Sequence, residues 1–262
     1  MTEPTLLHPS LLPLDGGINF RDLGGNRAAD GRLIRHGKLF RSGSLDLLSQ
    51  ADCEHLAGVP ISHVVDYRDA DEIAQKPDVL WTGANYHAYP ANPLRHEVTA
   101  NLDSLGSDVL AAFDSRAFML ELYRRLPFNN SAYKQLVSLL LRPDEGGLVQ
   151  HCAVGKDRTG IGSALVMFAL GADEQTVMED YLLTETTLTP FRQQLLTHLS
   201  ATLNEKALGQ FSYVLSVQEE FIVTALQAIY ERHGSIDSWL EAEYGLDNRA
   251  RNYLQDKYLV AG

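Results

Sequence analysis

Apolar and polar positions divide the chain into a strand-bearing front and a helical back. Residues 61–67, Ile-Ser-His-Val-Val-Asp-Tyr, are β-branched and apolar and run into charge. This predicts a buried strand with an exposed C-terminal end. Residues 148–151 after Gly146-Gly147 predict another short strand. Residues 17–25 read as an extended segment ending in a Gly-Gly turn. Residues 32–34 and 39–42 flank His36-Gly37 as a hairpin, 85–89 form a further strand, and 50–56 a short helix. After about residue 104 the period becomes helical. Residues 108–125 carry Val109, Ala112, Phe113, Leu120 and Tyr123 on one stripe. Residues 131–141 follow, with Ser131 as N-cap and Arg142-Pro143 as stop. Residues 159–170 are small and apolar all round, which suits a helix buried in mid-domain. Asp173 caps a helix to about Thr187, Pro190 marks a break, and 217–233 is a long amphipathic helix closed by Gly234. Short helices over 235–244 and 247–259 end the chain. The pattern predicts a three-layer α/β domain with a helical C-terminal extension.

Composition narrows the class. At 262 residues, 45% hydrophobic and 21% charged, one domain over 1–262 has a normal core, led by a coil over 1–15. The net charge of −12 excludes a general nucleic-acid binder or a polybasic membrane-surface protein. No apolar run reaches the length of a spanning helix, so stable membrane insertion is not expected. Residues 1–15 lack the basic and apolar regions of a signal peptide. The expectation is a cytoplasmic protein by default, with non-classical secretion left open. Two cysteines exclude a disulfide framework and fit a reducing compartment or a single functional thiol. The nine His show neither HxH nor HExxH spacing, so neither metal nor cofactor is expected.

The chemistry concentrates in His151-Cys152-Ala153-Val154-Gly155-Lys156-Asp157-Arg158-Thr159-Gly160, between a predicted strand and a predicted helix. Cys152 and Arg158 stand six positions apart, a C-x5-R spacing. A loop of this size wraps with its N–H groups inward, and with the following helix N-terminus it makes an anion nest. Ala153, Val154, Gly155 and Lys156 line it, and Arg158 adds a bidentate fork to phosphate oxygens. Such a positive field favours the thiolate at Cys152, the form that attacks phosphorus. Gly155 permits the tight turn. The Thr159 hydroxyl suits the thiolate as a hydrogen-bond donor, His151 holds the loop, and Lys156 adds charge at its rim. Asp157 would repel a phosphate, so it makes more sense as the general acid that protonates the leaving oxygen.

These residues resemble the active-site loop of bacterial protein tyrosine phosphatases of the PtpB/LipA type. Asn19-Phe20-Arg21-Asp22-Leu23-Gly24-Gly25, Leu39-Phe40-Arg41-Ser42-Gly43, Val64-Val65-Asp66-Tyr67-Arg68 with Glu72, and the stretch from Gly234-Ser235-Ile236-Asp237 to Leu246 are similar to further motifs of that family. Tyr67 replaces the family's usual Leu. The resemblance spans nearly the whole chain. It implies a PTP-like, mostly parallel sheet flanked by helices, and a metal-free reaction through a phosphocysteine with Arg158 on the equatorial oxygens. It also implies phosphorylated proteins or peptides as substrates, with phosphotyrosine first and phosphoserine or phosphothreonine besides. An Asp before the loop Arg, and Lys156, resemble lipid-directed phosphatases, so a phosphoinositide phosphatase is the alternative. A phosphate-binding pseudophosphatase is the non-enzymatic alternative, and it would be expected to lack Cys152 or Arg158.

Other candidates are weaker. Asp66 and Arg68 end a predicted central strand, where ligand sites of open α/β sheets lie. Asp66 is the second candidate acid and Arg68 a candidate phosphate contact; the alternative is a structural ion pair of Arg68 with Asp66 or Glu72. Asp114 has roughly the separation of a classical acid loop but sits in a helical run. Arg21, Asp22, Arg41 and Ser42 are expected to brace the sheet edge and the loop. Cys53 is expected as a small half-buried residue, with a protective disulfide to Cys152 as the minor alternative. Residues 173–211 are a candidate helical lid.

Overall fold

The computed structural model describes residues 8–95, 106–143 and 146–262. A five-stranded sheet carries the site. Its spatial order is β1 (Arg21–Asp22), β3 (Leu39–Ser42), β6 (Gly147–His151), β4 (Ile61–Asp66) and β5 (Asn85–Ala88). The strands from β3 to β5 run parallel, and β1 pairs antiparallel at one edge. The predicted α/β class is therefore the observed one. β6 lies in the middle, so the residue that follows it emerges at the centre of the sheet's carboxyl edge.

Strand alternation sorts side chains between two faces. Leu39, Val65 and Leu148 join the larger core, and Phe40, Val64 and Val149 the smaller one. Helices α5 (Ser131–Leu140), α6 (Asp157–Ala169), α10 (Glu219–His233) and α11 (Ile236–Tyr244) contribute to the larger core. Helix α1 (Gln50–Ala57) covers the smaller face through Leu56, beside Trp81. Every residue of α6 from Arg158 to Ala169 is buried, as its all-round apolar pattern requires. A third small core joins α3 (Ser107–Ala111), α8 (Thr189–Leu199) and α9 (Glu205–Leu215) through Leu110, Leu199, Ala207, Phe211 and Leu215.

Several boundaries differ from the sequence reading. The 108–125 run is two helices, α3 and α4 (Ser115–Arg125), because the Asp114 carboxylate accepts the Ala117 N–H at 2.9 Å and starts a new helix. Asn130, not Ser131, caps α5; its amide also donates to the Ala91 and Leu126 carbonyls, which a serine hydroxyl could not span. The 32–42 hairpin does not form. β2 (Leu33–Ile34) pairs instead with the C-terminal β7 (Leu259–Val260), while β3 enters the main sheet. Pro190 stands in the first turn of α8, directly after α7 (Glu174–Thr187), where its missing N–H costs nothing. Two helices complete the described chain, α2 (Ala70–Gln75) and α12 (Asn248–Tyr258).

Candidate active site

The loop from Cys152 to Asp157 leaves the end of β6 and opens α6. Its outer side is held by carbonyl bonds. Ser44 N–H donates to Ala153 O at 3.0 Å, the Asn19 amide to Gly155 O at 3.1 Å, and Arg41 Nη2 to Gly155 O at 2.8 Å. Gly155 adopts φ +68°, and a Cβ there would meet Ser42 O at 2.4 Å, so glycine is required twice over. Behind the loop, Arg21 and Arg41 share the one carboxylate of Asp180 on α7. Burial and the neighbouring Arg41 charge lower the Arg21 pKa to about 9. Asn19 itself sits at φ +52° and accepts from Arg21 and from Thr187. The expected bracing by Arg21 and Arg41 is present in this form. Asp22 accepts the Gly24 and Gly37 N–H groups, each at 2.8 Å, and so ties the Gly-Gly turn.

Arg158 is oriented from α2. Its two Nη groups donate to Glu72 at 2.6 and 2.8 Å, a fork-to-fork pair in which both side chains are nearly buried. Burial opposes both charges, yet each partner outweighs it: Glu72 is held below, and Arg158 above, its ordinary value. The motif resemblance placed Glu72 after Arg68, but the pair forms with Arg158. Tyr133 on α5 fixes the start of α6 by donating to Arg158 O at 2.7 Å. Tyr67, the departure from the family pattern, donates to Gln150 at 2.8 Å. A Cβ at Gly162 would come within 2.4 Å of that Gln150 oxygen, so Tyr67, Gln150 and Gly162 fit as a set.

Asp66 and Arg68 are brought near the loop but are turned to one another. Arg68 Nη2 lies 2.8 Å from both Asp66 and Asp78, and its Nη1 donates to Lys76 O at 2.7 Å. Tyr86 donates to Asp66 at 2.6 Å. Asp66, Asp78 and His151 each bring one metal-ligating atom within 4.8 Å of the others, and Arg68 lies against both carboxylates, so the cluster carries its own cation. Burial pushes the Asp66 carboxyl up, but His151 and Arg68 overcome it and lower its pKa to about 2. Its two oxygens are taken up by Arg68 and Tyr86, which turns Asp66 toward the ion pair that was the alternative to a role as acid. His151 approaches Cys152 O at 3.3 Å and Asp78 at 3.0 Å, a place consistent with loop support. Against the desolvation of burial, Asp66 and Asp78 raise its pKa.

Lys156 differs most from expectation. It is fully buried rather than at the rim. Its Nζ donates to Val214 O and, at 2.8 Å, to Ser216 O, capping the C-terminal end of α9. It also lies 3.2 Å from Asp157 Oδ1 and over the Phe221 ring. Burial lowers its pKa. Asp157 stays partly exposed, accepts from Tyr123 at 2.7 Å, and borders the same cavity as Cys152 and Arg158. That cavity holds about 270 Å³. Its apolar walls come from Ile18, Leu47, Phe191, Leu195, Phe211 and Leu215. Ala153 and Val154 also border it. The Thr159 hydroxyl is buried and has no hydrogen-bond partner among the described residues. Cys53 and Cys152 are both free thiols, and Cys152 is 2% exposed.

A thiol and an arginine on one anion loop, at the carboxyl edge of a parallel sheet, define the class of cysteine-dependent phosphatases. Comparison with known proteins narrows it. The chain belongs to the tyrosine phosphatase family, whose model matches residues 12–260. It is 31% identical over 240 residues to a Cupriavidus necator protein that carries the name of tyrosine-protein phosphatase provisionally, covering 90% of this chain and 85% of that one. The triple specificity protein phosphatase PtpB of Mycobacterium tuberculosis is 30% identical over 260 residues, 87% of this chain and 91% of its own. A tyrosine-protein phosphatase of Nostoc commune is 27% identical over 148 residues, 54% of this chain and 46% of its own.

Proposed function

We propose that this chain hydrolyses phosphotyrosine on proteins and peptides through a phosphocysteine at Cys152. The observation that carries the reading is one cavity bordered by Cys152, Asp157 and an Arg158 already locked in plane by Glu72. In the first half-reaction the Cys152 thiolate attacks phosphorus. The S–P bond forms, the P–O bond to tyrosine breaks, and Asp157 gives its proton to the departing phenolic oxygen. Arg158 and the loop N–H groups hold the equatorial oxygens, the loop carbonyls being committed outward. In the second, the Asp157 carboxylate takes a proton from water as the water oxygen attacks phosphorus. The S–P bond breaks, and Thr159 donates to the returning thiolate. The apolar walls suit a phenyl ring better than the short esters of serine or threonine.

The phosphoinositide alternative rested on Lys156 and Asp157. Lys156 turns toward α9 instead, which takes away the cation that would have met a second phosphate. The acidic body further disfavours docking on an anionic bilayer. The test is turnover of p-nitrophenyl phosphate, a phosphotyrosyl peptide, a phosphoseryl peptide and phosphoinositide vesicles. The highest kcat/KM is expected on the phosphotyrosyl peptide. Preference for the vesicles would overturn the protein-substrate reading, and no turnover of any would overturn the enzyme.

Within the candidate lid of residues 173–211, α8 and the start of α9 are the parts suited to move. Helix α7 is fixed by Asp180 to two buried arginines. Helices α8 and α9 share a small core with α3 and wall the cavity. Their amides should exchange hydrogen faster than those of α6 and α10, and slow when vanadate fills the loop. Equal protection in all four helices, unchanged by vanadate, would leave no lid.

A further inference from the structure

We infer that Tyr123, held in turn by Tyr181, positions Asp157 by occupying Oδ1, so that Oδ2 is the oxygen that carries the proton to the leaving group. The inference rests on Asp157 as the general acid and adds the residues that aim it. Tyr123 comes from α4 and Tyr181 from α7, and both are buried. The Tyr123 hydroxyl donates to Asp157 Oδ1 at 2.7 Å and lies 2.8 Å from the Tyr181 hydroxyl. A phenol has one hydrogen. Tyr123 spends it on Asp157, so Tyr181 must be the donor to Tyr123. The chain of donors therefore runs one way, from α7 through α4 to the loop.

A neutral carboxyl has one carbonyl oxygen, which only accepts, and one hydroxyl oxygen, which donates. Oδ1 already receives Tyr123, and Lys156 Nζ stands 3.2 Å away. With two donors aimed at it, Oδ1 is the carbonyl oxygen. The proton is thereby confined to Oδ2, which takes no hydrogen bond from a described residue, on a side chain that borders the cavity. The two tyrosines also keep their protons. Burial, and after it the Asp157 charge, raises both tyrosine hydroxyls well above their ordinary value. When Asp157 has delivered its proton, Tyr123 and Lys156 still face Oδ1 of the carboxylate, and the rotamer need not change before water is deprotonated.

Tyr123→Phe tests this, because the ring keeps its contacts with Tyr181 and Phe221 at centroid distances of 6.1 and 5.5 Å. General acid catalysis matters most when the leaving group is poor. Tyr123→Phe should therefore lose kcat about ten-fold more on phenyl phosphate than on p-nitrophenyl phosphate, with KM changing less than about three-fold. In an Asp157→Asn background, Tyr123→Phe should add no further dependence on the leaving group. Tyr181→Phe, one bond further out, should show a smaller loss of the same kind, and it serves if Tyr123→Phe folds poorly. An equal loss on both substrates, or an undiminished leaving-group effect in the Asp157→Asn background, would overturn the positioning role. If Asp157→Asn alone shows no leaving-group dependence, it is Asp157 as the acid that fails.

Discussion

Cys152→Ser should lose turnover of p-nitrophenyl phosphate by about four orders of magnitude or more while still binding substrate. The exchange is nearly isosteric at a site 2% exposed, so the fold should persist. What changes is the nucleophile. A serine hydroxyl must be deprotonated to attack, and among the described residues no base is placed to do it. His151 lies against Cys152 O and Asp78, and Asp157 is the proposed acid of the same half-reaction. The loop N–H groups and Arg158 remain, so binding should survive, and the variant should hold a phosphotyrosyl peptide without releasing phosphate. Rapid acid quench of wild type should trap a phosphoprotein that the variant never forms. Residual turnover above about one per cent of wild type, with unchanged KM, would sink the phosphocysteine mechanism.

The central strands and the loop between β6 and α6 were legible because their signals are local. Residues 61–66 and 147–151 are apolar runs bounded by turns, and C-x5-R with Gly155 needs only neighbouring residues to make sense. Cys152, Asp157 and Arg158 accordingly meet at one cavity. What the sequence hid was pairing across distance. Nothing near residue 33 announces that its partner is Val260. Lys156 looks like a substrate ligand until α9 is seen to present the unpaired carbonyls of its last turn to it. On the sequence Asp66 stands second to Asp157 as the acid; Asp66 ends β4 and Asp157 follows β6, both at the sheet's carboxyl edge. The placement of Arg68, His151 and Tyr86 around Asp66 could not be read from the sequence. Tyr123 looks like one apolar position on a helical stripe, and nothing local shows that its hydroxyl bonds Asp157. A Glu three residues after Asp69 forms a capping box for α2, a recognisable signal that could have located Glu72.

Arg158→Lys should cut kcat by about a thousand-fold and weaken vanadate binding, although the charge is kept. In the proposed reaction the guanidinium has two jobs. Its Nη groups lock onto both oxygens of Glu72, and that lock would set the plane in which N–H groups not spent on Glu72 meet the phosphoryl oxygens. An ammonium is a point charge on a free stem and can neutralise Glu72 or reach the phosphate, but has no plane to fix. Glu72→Gln separates the two jobs. It leaves Arg158 in place with one good acceptor instead of two, so the loss in kcat should be nearer ten-fold. Because Glu72 bears on the reaction through Arg158, its bond to the Asp69 N–H serving the α2 cap, the double variant should be no slower than Arg158→Lys alone. Its melting temperature should exceed that of Arg158→Lys, where a carboxylate 5% exposed loses its fork. Arg158→Lys retaining kcat within about ten-fold of wild type, or losses that simply multiply in the double variant, would mean that Glu72 and Arg158 do not work as one unit.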